Sequence, residues 1–120
     1  MAEAERVICA SGDLADGGDG VRFEIAVRGK IEPAFAVRYH GRVYAYLNRC
    51  AHMPMELDWK PGKFFDVWGL QLICSTHGAT YAPETGRCVR GPCFEEGLVR
   101  VPVEERDGRV LVKGDPHGRR

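Results

Sequence analysis

The stretch Cys50-Ala51-His52, together with Cys74-Ser75-Thr76-His77, decides how the rest of this sequence is interpreted. Each of the two segments offers one thiol and one imidazole. Thiolates favour iron-sulfur clusters, zinc or copper(I), and imidazole suits zinc, copper and iron. The four side chains therefore predict either a zinc ion or a 2Fe-2S cluster that is bound by two cysteines and two histidines.

The spacing of the ligands helps to separate these two centres. Cys50 and His52 are close enough in sequence to point to the same side of an extended segment. Cys74 and His77 need a turn, for which Gly78 is suited. Ligand pairs of structural zinc are usually separated by two residues or more, so a one-residue gap is tight for a single tetrahedral ion. A 2Fe-2S cluster relaxes this demand, because one iron takes both cysteines and the other takes both histidines.

The ligand segments and their flanks resemble the Rieske iron-sulfur domain family. The run His77-Gly78-Ala79-Thr80-Tyr81 is similar to the second cluster loop of that family, and the run from Thr85 to Pro92 is similar to its proline loop. The resemblance extends from about Arg42 to Lys113. It implies an all-β Rieske fold of small stacked antiparallel sheets, with two cluster-binding loops at one tip. It also implies a Rieske 2Fe-2S cluster bound by Cys50, His52, Cys74 and His77.

Several positions depart from the family pattern or set the expected reduction potential. The segment between His52 and Cys74 holds 21 residues, which is long for ferredoxins of the family and predicts an enlarged surface excursion. High-potential members carry an extra cysteine in each cluster loop and a serine after the His-Gly pair. The resemblance therefore implies a potential in the lower half of the range of roughly −150 to +300 mV. It also implies that Tyr81 hydrogen-bonds a ligand cysteine. The departures are at Pro54, where glycine is common, and at Met55, Thr76 and Ala79.

The pattern along the chain predicts β-structure throughout. Apolar and polar residues alternate with a period of two, and Gly-containing turns separate the alternating runs. The pairs His40-Gly41 and Asp107-Gly108 are typical of hairpin turns. No window of a dozen residues has helical periodicity. Strands are expected over residues 21–27, 34–39, 42–47, 65–68, 70–74, 80–82 and 109–113, and in the alternating run 99–103.

Length and charge restrict the class of protein. The 120 residues suffice for one domain with a modest core, so residues 1–120 are interpreted as a single domain with a flexible tail at 114–120. The 17 basic and 17 acidic side chains balance, which gives no nucleic-acid or polybasic membrane surface. No run approaches the roughly 18 apolar residues of a spanning helix. The sequence predicts a soluble, cytoplasmic protein without nucleic-acid or membrane partners.

The remaining cysteines and histidines receive no role in the predicted site. Five cysteines, an odd number, argue against a disulfide framework. Cys9 lies in an apolar run and is interpreted as a small buried side chain. Cys88 and Cys93 flank the proline loop and are expected to be reduced. His40 and His117 are expected to be solvated.

A cluster whose protein positions are all filled has no open site for substrate, and the sequence contains no glycine-rich nucleotide motif. We therefore expect an electron-transfer component rather than a catalyst on its own. The resemblance implies a ferredoxin that passes electrons from a flavin-containing reductase to an oxygenase component. An apolar rim for partner docking is expected at Met53, Pro54, Met55 and Pro92. The alternatives are a Rieske-like small subunit of a larger oxidoreductase, such as NADH-dependent nitrite reductase, and a structural zinc module.

Overall fold

The computed structural model describes residues 5–49, 56–58, 60–66, 68–74, 78–91 and 97–113. Within these ranges the chain forms nine strands and a short 3-10 helix, Ser11–Asp13, and no helix is long and apolar enough to cross a membrane. The strands are β1 (Glu5–Ala10), β2 (Val21–Val27), β3 (Lys30–Tyr39), β4 (Arg42–Leu47), β5 (Leu72–Ile73), β6 (Thr80–Tyr81), β7 (Cys88–Arg90), β8 (Val103–Arg106) and β9 (Arg109–Lys113).

The described strands form three small antiparallel sheets. Their strand orders are β1-β9-β8, β2-β3-β4 and β5-β6-β7. Every strand pair is antiparallel. This arrangement confirms the predicted all-β fold of small antiparallel sheets.

Three tight turns connect the longest hairpins. Each turn consists of two residues with positive φ, a geometry that matches the right-handed twist of the flanking strands. The φ values are 54° and 81° at Arg28-Gly29, 51° and 83° at His40-Gly41, and 56° and 76° at Asp107-Gly108. The sequence predicted the second and third turns. The first was missed, because Lys30 to Pro33 do not alternate clearly and Pro33 lies inside β3.

Strand β3 lies at the centre of the fold because both of its faces are buried. Phe35 and Val37 belong to one hydrophobic cluster, and Ala34 and Ala36 belong to the other. Side chains alternate between the two faces of a strand, so an uninterrupted apolar run in β3 can fill two cores. The first cluster also takes residues of the β5-β6-β7 sheet, and the second also takes residues of β9. The β2-β3-β4 sheet therefore packs between the other two.

The predicted strand boundaries differ from the structure in several places. Of the expected strand 65–68, Phe65 makes a single bridge to Leu72, and residue 67 lies outside the described residues. The expected strands 70–74 and 80–82 are shortened to β5 and β6. The run 99–103 follows the edge of β4 through two backbone hydrogen bonds, and strand β8 begins only at its end. β1 and β7 were not predicted.

The long excursion between the ligand pairs is anchored in the core rather than lying only on the surface. Leu57 and Phe64 are completely buried, and Phe65 is nearly so. The ring of Phe64 stacks on Phe35 with centroids 3.9 Å apart. The excursion folds back as an irregular hairpin, in which Ile73 N–H donates to the carbonyl of Phe64 at 2.9 Å. The prediction of a surface excursion is therefore only half right.

Candidate metal centre

Of the four predicted ligands, Cys74 lies in the described part of the chain. Cys50, His52 and His77 lie outside it. The positions proposed for the apolar rim also lie outside, at Met53, Pro54, Met55 and Pro92, as do Thr76, Cys93 and His117. Among the described residues no three His, Cys, Asp or Glu side chains come together in a group that could hold a metal ion. The structure describes the residues that flank each ligand segment, and we call these residues the base of the segment.

The buried side chain of Asn48 fixes the base of the first ligand segment, directly after β4. Its Oδ1 accepts a hydrogen bond from the backbone N–H of Leu57 at 2.8 Å, and its Nδ2 donates to Oδ1 of Asp58 at 3.3 Å. The backbone N–H of Asn48 donates to the carbonyl of Pro33 at 2.8 Å. Asn48 is 1% exposed, so the residues that flank the first segment are tied to one another and to β3. The sequence reasoning missed Asn48, because a polar residue after a strand usually indicates only a turn.

The second ligand segment begins at Cys74, which is buried at the end of β5 and is not disulfide-bonded. The N–H of Cys74 donates to the carbonyl of Ala79 at 2.8 Å, and the N–H of Gly78 donates to the carbonyl of Cys74 at 2.9 Å. Gly78 has a φ of 71°, a conformation that costs glycine little. The two hydrogen bonds hold Cys74 next to Gly78 and Ala79.

Both ligand segments adjoin the same hydrophobic cluster. Leu57, which follows the first segment, and Cys74, which begins the second, belong to one cluster together with Ala79 and Tyr81. The fold therefore brings together the bases of two segments that are more than twenty residues apart in sequence. Tyr81, the predicted hydrogen-bond donor to a ligand cysteine, is completely buried in this cluster.

The residues beside Cys74 fit a bound group. Thr80 is 8% exposed, and its hydroxyl has no hydrogen-bond partner among the described residues. Leaving such a hydroxyl buried and unpaired costs about 1–3 kcal/mol, so a further acceptor nearby would stabilise this site. Gly91 approaches the loop closely, because a Cβ there would lie 2.7 Å from Cα of Ala79. A buried thiol, an unpaired hydroxyl and two imidazoles nearby in sequence suit an iron-sulfur cluster.

The other two described cysteines, Cys9 and Cys88, differ in whether they form a disulfide. Cys9 is half-buried and not disulfide-bonded. Burial raises the pKa of its thiol, with a smaller contribution from the carboxylate of Asp13. It is therefore a protonated packing residue, as expected. Cys88, in contrast, is disulfide-bonded. The expectation of a reduced Cys88 was wrong, because it rested on the surroundings of the protein and not on the proximity of cysteines in the fold.

The family model of the Rieske [2Fe-2S] domain matches residues 4–105 of the chain. The chain therefore belongs to the Rieske [2Fe-2S] domain family. This membership decides between the two centres that the ligand types left open: the cofactor is a Rieske 2Fe-2S cluster. A comparison of the sequence with curated proteins found no match.

Solved structures with a similar fold include ferredoxins of oxygenase systems. A chain in the complex of reduced oxygenase and oxidized ferredoxin in carbazole 1,9a-dioxygenase is 25% identical with a TM-score of 0.71, over 92% of this chain and 94% of that chain. The ferredoxin of carbazole 1,9a-dioxygenase from Nocardioides aromaticivorans IC177 is 22% identical with a TM-score of 0.70, over 93% and 99%. The Sphingomonas yanoikuyae B1 ferredoxin is 22% identical with a TM-score of 0.70, over 92% and 98%.

Proposed function

We propose that this chain is a one-electron carrier that passes electrons from a flavin-containing reductase to an oxygenase component. The observation that carries the proposal is the extent of the structural likeness. It covers 99% of the ferredoxin from Nocardioides aromaticivorans, but only 34% of the quaternary ammonium Rieske monooxygenase CntA. The chain is thus similar to a whole ferredoxin and to one portion of a larger oxygenase. When bound, the 2Fe-2S cluster accepts and releases a single electron.

We propose Cys50, His52, Cys74 and His77 as the protein ligands. Three features support this set: the ligand chemistry, the burial of Cys74, and the shared hydrophobic cluster that both segments adjoin. Ala79 and Tyr81 pack around the base of the second segment and exclude water from it. Excluding water matters because the polarity around thiolate ligands helps to set the reduction potential.

Electron transfer between partner proteins provides the direct test. The holoprotein would be mixed in a stopped-flow instrument with a reduced flavin-containing reductase, and then with the oxidised terminal oxygenase of carbazole 1,9a-dioxygenase from Nocardioides aromaticivorans. We expect the visible absorption of the cluster to bleach in the first step and to return in the second. A chain that bleaches with neither reductase nor dithionite would contradict the carrier function. Purification only as a stable complex with a larger oxidoreductase would favour the small-subunit alternative.

Single substitutions test the ligand set with controls within the same chain. We expect Cys74→Ser and His77→Asn to lose the visible absorption of the cluster and the bound iron. His40→Asn and His117→Asn remove the two other histidines and should retain both. Loss of iron in a control variant, or its retention in a ligand variant, would contradict the proposed set.

A further inference from the structure

A groove of about 330 Å³ lies away from the ligand segments, and we call it the Trp68 groove. Three parts of the chain form it: the loop before β2, the turn between β3 and β4, and the tip of the hairpin at residues 66–70. Its main lining residues are Asp16, Tyr39, His40, Asp66, Trp68 and Leu70.

Hydrogen bonds from backbone N–H groups to aspartate side chains hold the walls of the groove in place. The carboxylate of Asp16 accepts from the N–H groups of His40 at 2.8 Å and Gly41 at 2.6 Å. The carboxylate of Asp66 accepts from the N–H of Leu70 at 3.0 Å. The loop and the hairpin tip touch at glycines, since a Cβ on Gly17 would lie 3.1 Å from the carbonyl oxygen of Gly69. The groove is thus formed before any partner binds.

The groove exposes aromatic and aliphatic surface. Trp68 is 76% exposed and Leu70 is 54% exposed. The rings of Tyr39 and His40 stack with centroids 4.0 Å apart on another wall. Tryptophan and tyrosine are enriched among the residues that dominate the affinity of protein interfaces. An exposed tryptophan beside a preformed groove therefore suits a docking surface.

Two carboxylates, those of Asp16 and Asp66, line the groove. Asp16 and Asp66 make no salt bridge among the described residues. Hydrogen bonds from the backbone of His40 and Gly41 lower the pKa of Asp16 and keep it ionised. The pKa of Tyr39 is raised, first by burial and then by the carboxylates of Glu84, Asp16 and Asp66. The nearby cation Arg38 is itself paired with Glu105 at 2.6 Å.

The position of the groove separates it from the predicted cluster site. It lies beside the turn at His40-Gly41, where β4 begins, whereas Cys50 follows the other end of β4. A strand rises roughly 3.3 Å per residue, so the two ends of β4 are roughly 17 Å apart. The hairpin tip likewise points away from Cys74, because Phe64 pairs with Ile73 at its base.

We propose that the Trp68 groove is a second docking surface, which binds a basic segment of a partner protein. A lysine or arginine side chain of that segment lies against the ring of Trp68 and faces the carboxylates of Asp16 and Asp66. Cation–π contact and charge complementarity both favour this occupant. An acidic segment would be repelled by the two carboxylates, and a purely apolar segment would gain neither the cation–π contact nor the charge attraction. The inference does not depend on the proposed electron-transfer function.

The test uses the oxidised holoprotein and a short synthetic peptide of alternating arginine and glycine, at low ionic strength. Affinities are measured by isothermal titration calorimetry, and nuclear magnetic resonance of the indole N–H of Trp68 in the parent protein shows where the peptide binds. We expect Trp68→Ala to weaken binding of the peptide about fivefold or more. Asp66→Asn retains an oxygen acceptor for the N–H of Leu70 and should weaken binding about twofold to fivefold.

Matched controls separate the groove from general attraction to a charged surface. Ile31→Ala removes another exposed apolar side chain, and Glu24→Gln removes an exposed carboxylate on β2. Both variants should bind the arginine peptide like the parent protein, and a peptide with glutamate in place of arginine should not shift the Trp68 signal. Equal effects of groove and control variants, binding of the glutamate peptide, or no binding of the arginine peptide would each overturn the proposal.

Discussion

At the scale of single residues, two buried tyrosines allow an effect on the reduction potential of the cluster to be distinguished from an effect on core packing. Tyr46 and Tyr81 are both completely buried and belong to the same cluster of core residues. The hydroxyl of Tyr46 donates to the carbonyl of Pro83 at 2.6 Å. Tyr81 lies two residues after Ala79, whose carbonyl accepts the hydrogen bond from Cys74.

We expect Tyr81→Phe to lower the midpoint potential by roughly 40–90 mV, the equivalent of about 1–2 kcal/mol in a one-electron couple. The prediction rests on the expected hydrogen bond from the Tyr81 hydroxyl to a ligand sulfur, because such a bond stabilises the reduced, more negative cluster. Tyr46→Phe is the control: it should lower thermal stability and leave the potential unchanged. Protein-film voltammetry measures both variants, and equal potentials for Tyr81→Phe and the parent would reduce Tyr81 to a packing residue.

Asn48 gives a second prediction at this scale. Asn48→Ala leaves the buried N–H of Leu57 without its acceptor and should lower the free energy of unfolding by about 1–3 kcal/mol. Because Asn48 fixes the base of the first ligand segment, we also expect faster loss of iron to a chelator. Arg49→Ala is a control for the adjacent exposed position. If Asn48→Ala unfolds earlier in urea but releases iron at the parent rate, Asn48 supports the fold without supporting the site.

At the scale of elements, the hairpin at residues 60–73 is anchored to β3 through the ring of Phe64. Phe64 is completely buried and stacks on Phe35, so Phe64→Ala should cost about 3–5 kcal/mol of stability. Trp68→Ala, at the exposed tip of the same hairpin, should change stability by less than about 0.5 kcal/mol. Urea unfolding of the two variants measures the difference. Similar costs for both would mean that the hairpin is not anchored through Phe64.

The elements that could be predicted from the sequence are those whose pairing is local. Strands β3 and β4 contain apolar runs and are joined by the turn at His40-Gly41, and β8 and β9 are joined by the turn at Asp107-Gly108. β1 was missed because it pairs with β9 from the other end of the chain. β7 was missed because a strand of three residues is too short for a pattern. Burial of Leu57 and Phe64 depends on tertiary contacts that no local pattern carries.

The functional sites likewise include features that the sequence predicts and features that depend on tertiary contacts. Ligand chemistry and spacing predicted a two-Cys, two-His centre, because they depend only on residue types along the chain. The role of Asn48 could not be predicted, since its partners are Pro33 and Leu57. The Trp68 groove was also missed. His40 was predicted only as a solvated residue, and the groove that it lines is formed by three separate segments.

At the scale of the whole molecule, Arg38 connects two of the three sheets. From β3 its guanidinium donates to the carbonyls of Ser11 and Leu14 and to the carboxylate of Glu105 on β8. The hydrogen bond from Arg38, followed by one from Ser11, lowers the pKa of Glu105. A carboxylate with a lowered pKa stabilises the folded state above its unfolded pKa, and this contribution is lost as the pH falls through the folded pKa.

We therefore expect Glu105→Gln to be less stable than the parent by about 0.5–1 kcal/mol at pH 7. The difference should shrink below about pH 4.5 and vanish once Glu105 is protonated in both states. Urea unfolding at a series of pH values, monitored by circular dichroism, measures this difference. Glu24→Gln, at an exposed position with no ion pair among the described residues, should show no such trend. A difference for Glu105→Gln that is independent of pH would contradict the role of the ion pair.

The central claim is that two cysteines and two histidines of this chain bind a Rieske 2Fe-2S cluster. Pulsed electron paramagnetic resonance of the dithionite-reduced holoprotein, with and without ¹⁵N-histidine, tests it most directly. We predict the signal of a singly reduced 2Fe-2S cluster with strong nitrogen couplings that change on labelling and belong to two imidazoles. A colourless chain that binds zinc, or a reduced cluster without histidine nitrogen couplings, would contradict the claim.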